Sequence, residues 1–190
     1  MAQPVRTAVL MFLLPGLLLP LAAADAVQRN VRSGARIEMK LEAGDYEILP
    51  GDGETLSVTI TGPRSERVRV HLDGSDAHAR LAVTHTHHSS FRAVIKVPKT
   101  CDLVVRHSAG DLRIGAIRGH KDLRTHAGNL EVQVGDPNDY AHVNATVTAG
   151  DLDAKPFHRT EGGLFNSLRW TGPGKYELRA KLMAGDLILK

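Results

Sequence analysis

The sequence predicts an all-β chain: a short, single-stranded, right-handed β-solenoid with Ala-Gly-Asp-Leu corners. Three observations predict it. A tetrapeptide recurs five times, apolar residues alternate with period two on both sides of each copy, and no segment shows a 3.6-residue period. The copies are Ala43-Gly44-Asp45-Tyr46, Ala109-Gly110-Asp111-Leu112, Ala127-Gly128-Asn129-Leu130, Ala149-Gly150-Asp151-Leu152 and Ala184-Gly185-Asp186-Leu187. Their glycines are separated by 66, 18, 22 and 35 residues, and the two shorter spacings suit one coil of a β-solenoid.

The first element is a processing signal. Arg6 precedes an apolar run from Ala8 to Leu21, followed by Ala22, Ala23 and Ala24, the three-part pattern of a secretory signal peptide. The run is short for a membrane span and is interrupted by Pro15 and Pro20. Residues 1–24 are therefore expected to be removed, leaving residues 25–190 as one exported domain, periplasmic or at the cell surface, with no stable membrane insertion. Cys101 is the only cysteine, so no cysteine follows the apolar run to take a lipid, and neither a disulfide framework nor a Cys-based zinc site is available.

The strands follow in order. Val58 and Ile60, then Val68, Val70 and Leu72, then Leu81 and Val83, then Phe91, Ala93, Ile95 and Val97 alternate between turn clusters at 51–53, Gly62-Pro63 and 73–76. Around each repeat glycine the apolar residues sit at minus five and minus three (Met39 and Leu41, for example) and at plus two and plus four (Tyr46 and Ile48). The side facing the core changes parity at the glycine, as a corner or bulge requires. Gly supplies the positive-φ backbone, Ala leaves room for close stacking, and Asp or Asn is expected to cap its own turn. The stretch from Lys155 to Gly174, rich in Gly and Pro, reads as an irregular excursion from the stack.

These residues resemble the bacterial putative-adhesin domain family, a family of unknown function related to head-domain adhesin-like β-solenoids. The resemblance is carried by the signal peptide, a lead-in strand Val97-Pro98-Lys99-Thr100-Cys101-Asp102-Leu103-Val104-Val105, the repeated Gly-Asp-Leu corners, and a closing segment Gly172-Pro173-Gly174-Lys175-Tyr176-Glu177-Leu178 running to Ala184-Gly185-Asp186-Leu187-Ile188. It implies an exported, non-enzymatic adhesin-like role and brings no catalytic residue with it.

Composition narrows the function classes. With 24 Lys+Arg against 21 Asp+Glu the net charge is only +3, too weak to indicate nucleic acid, and 4% aromatics with one Trp leave little surface for stacking sugars or bases. The position four before each glycine holds Lys40, Arg106, Arg124, Thr146 and Lys181, all expected to face outward. Stacked cations repel unless relieved, by neighbours such as Asp122 and Glu131 or by an anionic ligand such as an acidic envelope polysaccharide or a lipid head group. Lys40, Arg106, Arg124 and Lys181 are thus the candidate ligand-binding residues.

A second candidate is His85-Thr86-His87-His88. On a strand His85 and His87 share a face, so His85, His87 and His88 form a candidate metal site of a periplasmic metal-binding protein. The corner residues Asp45, Asp111, Asn129, Asp151 and Asp186 could in principle hold Ca²⁺, but turn capping explains them without a metal. For a carbohydrate-active enzyme the only pair to nominate is Asp111 with Asp151. Cys101, at an inward parity, reads as a buried small apolar residue. The sequence calls for no cofactor. The expected partner is an envelope glycan or protein, and open coil ends would allow pairing into a homo-oligomer.

Overall fold

The computed structural model describes residues 27–63, 65–86 and 91–190; the signal segment and His87 and His88 lie outside them. Seventeen strands follow in chain order. The first seven are β1 (Val27–Asn30), β2 (Arg36–Leu41), β3 (Asp45–Gly51), β4 (Thr55–Thr61), β5 (Arg69–Gly74), β6 (His78–Thr84) and β7 (Arg92–Pro98). Then come β8 (Asp102–Ala109), β9 (Leu112–Ile114), β10 (Lys121–Ala127), β11 (Leu130–Val132), β12 (Tyr140–Ala149) and β13 (Leu152–Ala154). The last four are β14 (Arg159–Glu161), β15 (Leu164–Thr171), β16 (Tyr176–Ala184) and β17 (Leu187–Leu189). Three short 3-10 turns, at Ser65–Arg67, Pro137–Asp139 and Lys155–Phe157, are the only helical pieces among the described residues.

The strands form two mixed sheets. One holds nine strands in the order β1-β4-β7-β3-β9-β11-β17-β13-β14, the other eight in the order β15-β12-β16-β10-β8-β2-β6-β5. Each repeat glycine joins a strand of the eight-stranded sheet to a strand of the nine-stranded one: β2 to β3, β8 to β9, β10 to β11, β12 to β13 and β16 to β17.

The core between the sheets follows the parity of the repeat. Every apolar or polar residue at minus five, minus three, plus two and plus four is buried, from Met39, Leu41, Tyr46 and Ile48 to Ala180, Leu182, Leu187 and Leu189. Burial at these alternating sites is the main stabilising term, because a side chain such as Leu or Ile contributes roughly 1.5–3 kcal/mol when withdrawn from water. One cluster of buried residues runs from Val31 to Leu189.

At the corners the chains approach more closely than any side chain allows. Parallel register aligns Ala109 with Ala127, Ala127 with Ala184 and Ala184 with Ala149. The amide of Gly110 donates to the carbonyl of Ala127, Gly128 to Ala184 and Gly185 to Ala149, at 2.9–3.0 Å. A Cβ on Gly128, where φ is +107°, would stand 2.1 Å from the carbonyl oxygen of Gly110. The Asp residues act differently from expectation. Asp45 Oδ1 accepts from the amide of Asp111, and Asp186 Oδ1 from that of Asp151, each at 3.2 Å, so the cap is given to the neighbouring corner rather than to the residue's own turn. The Nδ2 of Asn129 donates to Asp111 Oδ1 at 3.1 Å, which continues the ladder.

The corners do not stack in chain order: β16 lies between β10 and β12, so the corner at Gly185 sits between those at Gly128 and Gly150. Two further expectations are corrected. The lead-in strand is two strands in different sheets, because Pro98 ends β7 and Cys101, fully buried, turns the chain into β8. The stretch from Lys155 to Gly174 is not irregular. It forms β14 and β15, which pair antiparallel with β13 and β12. Apolar alternation is weak there because the inward position of Asn166 is polar, its Nδ2 donating to the carbonyl of Gly150 at 2.8 Å. With β5, β1 and β4 also antiparallel at the other end, antiparallel strands flank the parallel ladders at both ends.

Candidate functional site

The outward face of the eight-stranded sheet gathers the predicted ligand-binding residues. Parallel register sets Lys40 opposite Arg106, Arg106 opposite Arg124, Arg124 opposite Lys181 and Lys181 opposite Thr146. Adjacent strands lie about 4.8 Å apart, so the four cations form one row about 14 Å long across the sheet.

Their partners differ. Arg106 donates to both carboxylate oxygens of Asp122, at 3.0 and 3.2 Å, and to the backbone carbonyls of Val105 and Asp122, which fixes its guanidinium flat on the sheet. Arg124 shares the same carboxylate at 3.6 Å. The other expected relief fails: Glu131 lies on the opposite sheet and accepts from Lys190 at 2.9 Å. Among the described residues, no carboxylate pairs with Lys40 or Lys181.

A groove of about 660 Å³ runs along this row. Lys40, Arg106, Arg124 and Lys181 stand on one side, and Glu42, Thr84, Ser108, His126 and Met183 on the side nearer the corners. The small Ala82 and the aliphatic stems of the cations give it an apolar floor with a cationic wall. Such a surface suits an elongated anion more than a compact one.

Of the histidine candidate only His85 is among the described residues: β6 ends at Thr84, and His85, just past the strand, has φ 61°. His85 is exposed and lies 3.1 Å from the hydroxyl of Thr84. Among the described residues, no group of three His, Cys, Asp or Glu is placed to hold a metal.

The nominated carboxylate pair is also taken apart. Asp111 and Asp151 precede β9 and β13, which stand three strands apart, about 14 Å, beyond the roughly 5–9.5 Å that paired carboxylates need for glycoside chemistry. Asp111 is engaged as well, holding Arg113 at 3.3 Å.

Several polar groups are buried inside the stack. His107, at the minus-three position, is 1% exposed; its Nε2 lies 3.1 Å from the carbonyl of Gly44 and its ring meets Tyr46 edge-on. Burial pulls its pKa below the ordinary value. Lys121 is also buried and donates to the Tyr140 hydroxyl at 2.9 Å and to the Gly119 carbonyl at 3.3 Å; burial pulls it down to about 8. Cys101 is buried as expected, which pushes its thiol up to about 12. Lys121 is not among the candidates that the sequence suggests, although it stands seven before Gly128, at an inward parity. Nor are Leu164, Phe165 and Met183, the large apolar residues exposed among the described residues.

No protein-family model matches the chain, and no curated protein is similar to it in sequence. Solved structures are similar to it. A putative cell adhesion protein from Clostridium sporogenes matches over 87% of this chain and 98% of its own, with a TM-score of 0.52 at 10% identity. A putative adhesin from Bacteroides fragilis matches over 87% and 96%, with a TM-score of 0.31 at 9% identity. At this identity the first likeness shows a common fold and leaves the ligand to be argued from the surface.

Proposed function

We propose that the chain is a non-enzymatic, exported cell-envelope protein of the adhesin-like kind, which holds an anionic envelope component on the outward face of its eight-stranded sheet. Under this reading the two sheets are the walls of a short β-solenoid whose columns are drawn from out-of-order segments of chain. The aligned Ala and Gly of the corners support it. The carrying observation is the row Lys40, Arg106, Arg124 and Lys181 along a groove, in which Asp122 engages Arg106 and Arg124 while Lys40 and Lys181 have no carboxylate partner among the described residues. Like charges opposite one another in a sheet are unfavourable, and a bound anion removes that cost. A packed stack offers no deep cavity, so affinity comes from a rigid array of outward side chains.

The test is binding of residues 25–190 to a soluble acidic polysaccharide, such as polygalacturonate or dextran sulfate, at low and moderate salt in EDTA. The double change Lys40→Glu and Lys181→Glu is expected to lower affinity at least about tenfold and to flatten the salt dependence. Binding that is indifferent to both changes sinks the reading. Binding that appears only after Zn²⁺ is added would move the function to His85, His87 and His88.

A further inference from the structure

Phe165 carries two unfavourable features at once. It sits in the left-handed region at φ 59°, rare for an aromatic residue, and its side chain is 78% exposed. Strain and exposed apolar surface at one residue point to a use outside the fold. Leu164 beside it is 69% exposed, where Gly162-Gly163 carries the chain from β14 in the nine-stranded sheet to β15 in the eight-stranded one.

Register places this bend near the cationic row. Asn166, which is buried, pairs with Val147 and Leu164 with Ala149, so Phe165 falls at the level of Thr148 with its side chain outside the core. On the other side of β12, Leu182 pairs with Val147 and Ala184 with Ala149, so Met183 also lies opposite Thr148. Phe165 and Met183, the latter 57% exposed, therefore flank Thr148 at about twice the strand spacing, roughly 10 Å. Lys181 is two residues before Met183 and Arg169 four after Phe165, both outward, and neither has a carboxylate partner among the described residues.

The face is thus amphipathic in one plane. Phe165 and Met183 stand at its β15 end with the exposed Leu164 at the start of that strand, and cations extend from there across β16, β10 and β8 to β2. A soluble glycan would use the cations and leave Phe165, Leu164 and Met183 in water. An acidic lipid layer uses both, since apolar tips enter the acyl boundary while Lys and Arg meet the head groups.

Resting on the reading that this face is the binding surface, we infer that its partner is an anionic lipid surface, engaged by Phe165, Leu164 and Met183 as a shallow wedge beside the row Lys40, Arg106, Arg124 and Lys181. The wedge fixes where the protein sits, and the row selects negative lipid.

The test is co-sedimentation of residues 25–190, which contain the whole core cluster and lack the apolar signal segment, with vesicles of phosphatidylglycerol and phosphatidylcholine and with phosphatidylcholine alone. Binding is expected only to the acidic vesicles and to weaken with salt. The pair Phe165→Asn and Leu164→Ser, both at exposed sites outside the groove lining and the first able to keep the left-handed backbone, is expected to lower vesicle affinity at least about tenfold. The same variant should keep its melting temperature and bind dextran sulfate as the parent does. No vesicle binding alongside intact dextran sulfate binding overturns the lipid partner and leaves the cationic face standing. Vesicle binding that ignores the pair overturns the wedge, and failure to bind either probe overturns both readings.

Discussion

The corner at Gly128 is the place where the stacking argument is most exposed to refutation. Changing Gly128 to Ala sets a Cβ 2.1 Å from the Gly110 oxygen and 2.7 Å from its carbonyl carbon, on backbone at φ +107°. Ordinary contact begins near 3.4 Å, so the two corners must separate by more than 1 Å. That movement strains the bonds from Gly110 to Ala127 and from Gly128 to Ala184, both 3.0 Å, each worth about 1 kcal/mol net. The positive φ adds roughly 1–2 kcal/mol for any residue with a Cβ. Together these give a loss of roughly 3–4 kcal/mol, or a melting temperature lower by about 10 °C for a domain of this size. Gly135 provides the control, because its φ is +77° but nothing lies within 4 Å of its added Cβ. Gly135→Ala should lose only the backbone cost of roughly 1–2 kcal/mol. Urea and thermal unfolding of the two variants decide the matter, and a Gly128→Ala protein no less stable than Gly135→Ala would refute the claim that close corner stacking demands glycine.

Two pH predictions follow from buried cations. Burial lowers Lys121 from 10.5 to about 8, so between pH 8 and 10 the unfolded chain binds more protons than the folded one and stability rises with pH, by up to roughly 2 kcal/mol. Above pH 10 the trend reverses, because burial raises Tyr46 and pushes Tyr140 up to about 12. Lys121→Met should flatten the rise; urea midpoints at pH 8, 9 and 10 that climb equally in both proteins contradict this. His107 is held below its ordinary value of 6.5, so its burial costs stability as pH falls through 6.5 toward the folded value, where the unfolded chain takes the proton first. His107→Leu should shift the acid transition to lower pH, and acid melts of parent and variant that superimpose would rule His107 out as a trigger.

What the sequence discloses depends on whether a residue belongs to the repeat. Parity about the glycines assigns a side, and it does so even for polar residues: His107 and Thr125 are buried at minus three, while Arg106 and Arg124, one position earlier, face out. The same rule applied at minus seven marks Ile37, Leu103, Lys121, Val143 and Leu178 as one inward column, and all five are buried. Lys121 is therefore legible, hidden only by the habit of placing lysine outside. Parity does not assign an order. The insertion of β16 between β10 and β12 depends on where β14 and β15 fold back, and that segment lacks the corner tetrapeptide. Its inward Asn166 satisfies a carbonyl rather than filling space, so hydrophobic periodicity does not detect it.

The candidate surface divides along the same line. Its cations stand at one offset from successive glycines, so the spacing of the repeat alone identifies them as a column. Its apolar wedge comes largely from the non-repeating segment, with Phe165 brought to the level of Thr148 by antiparallel pairing rather than by repeat register. A repeat produces equivalent positions, so by itself it yields a uniform stripe of charge with no preferred seat for a ligand. The inserted segment breaks that equivalence at one end of the row, and an amphipathic partner would be seated there, at the point where the repeat stops.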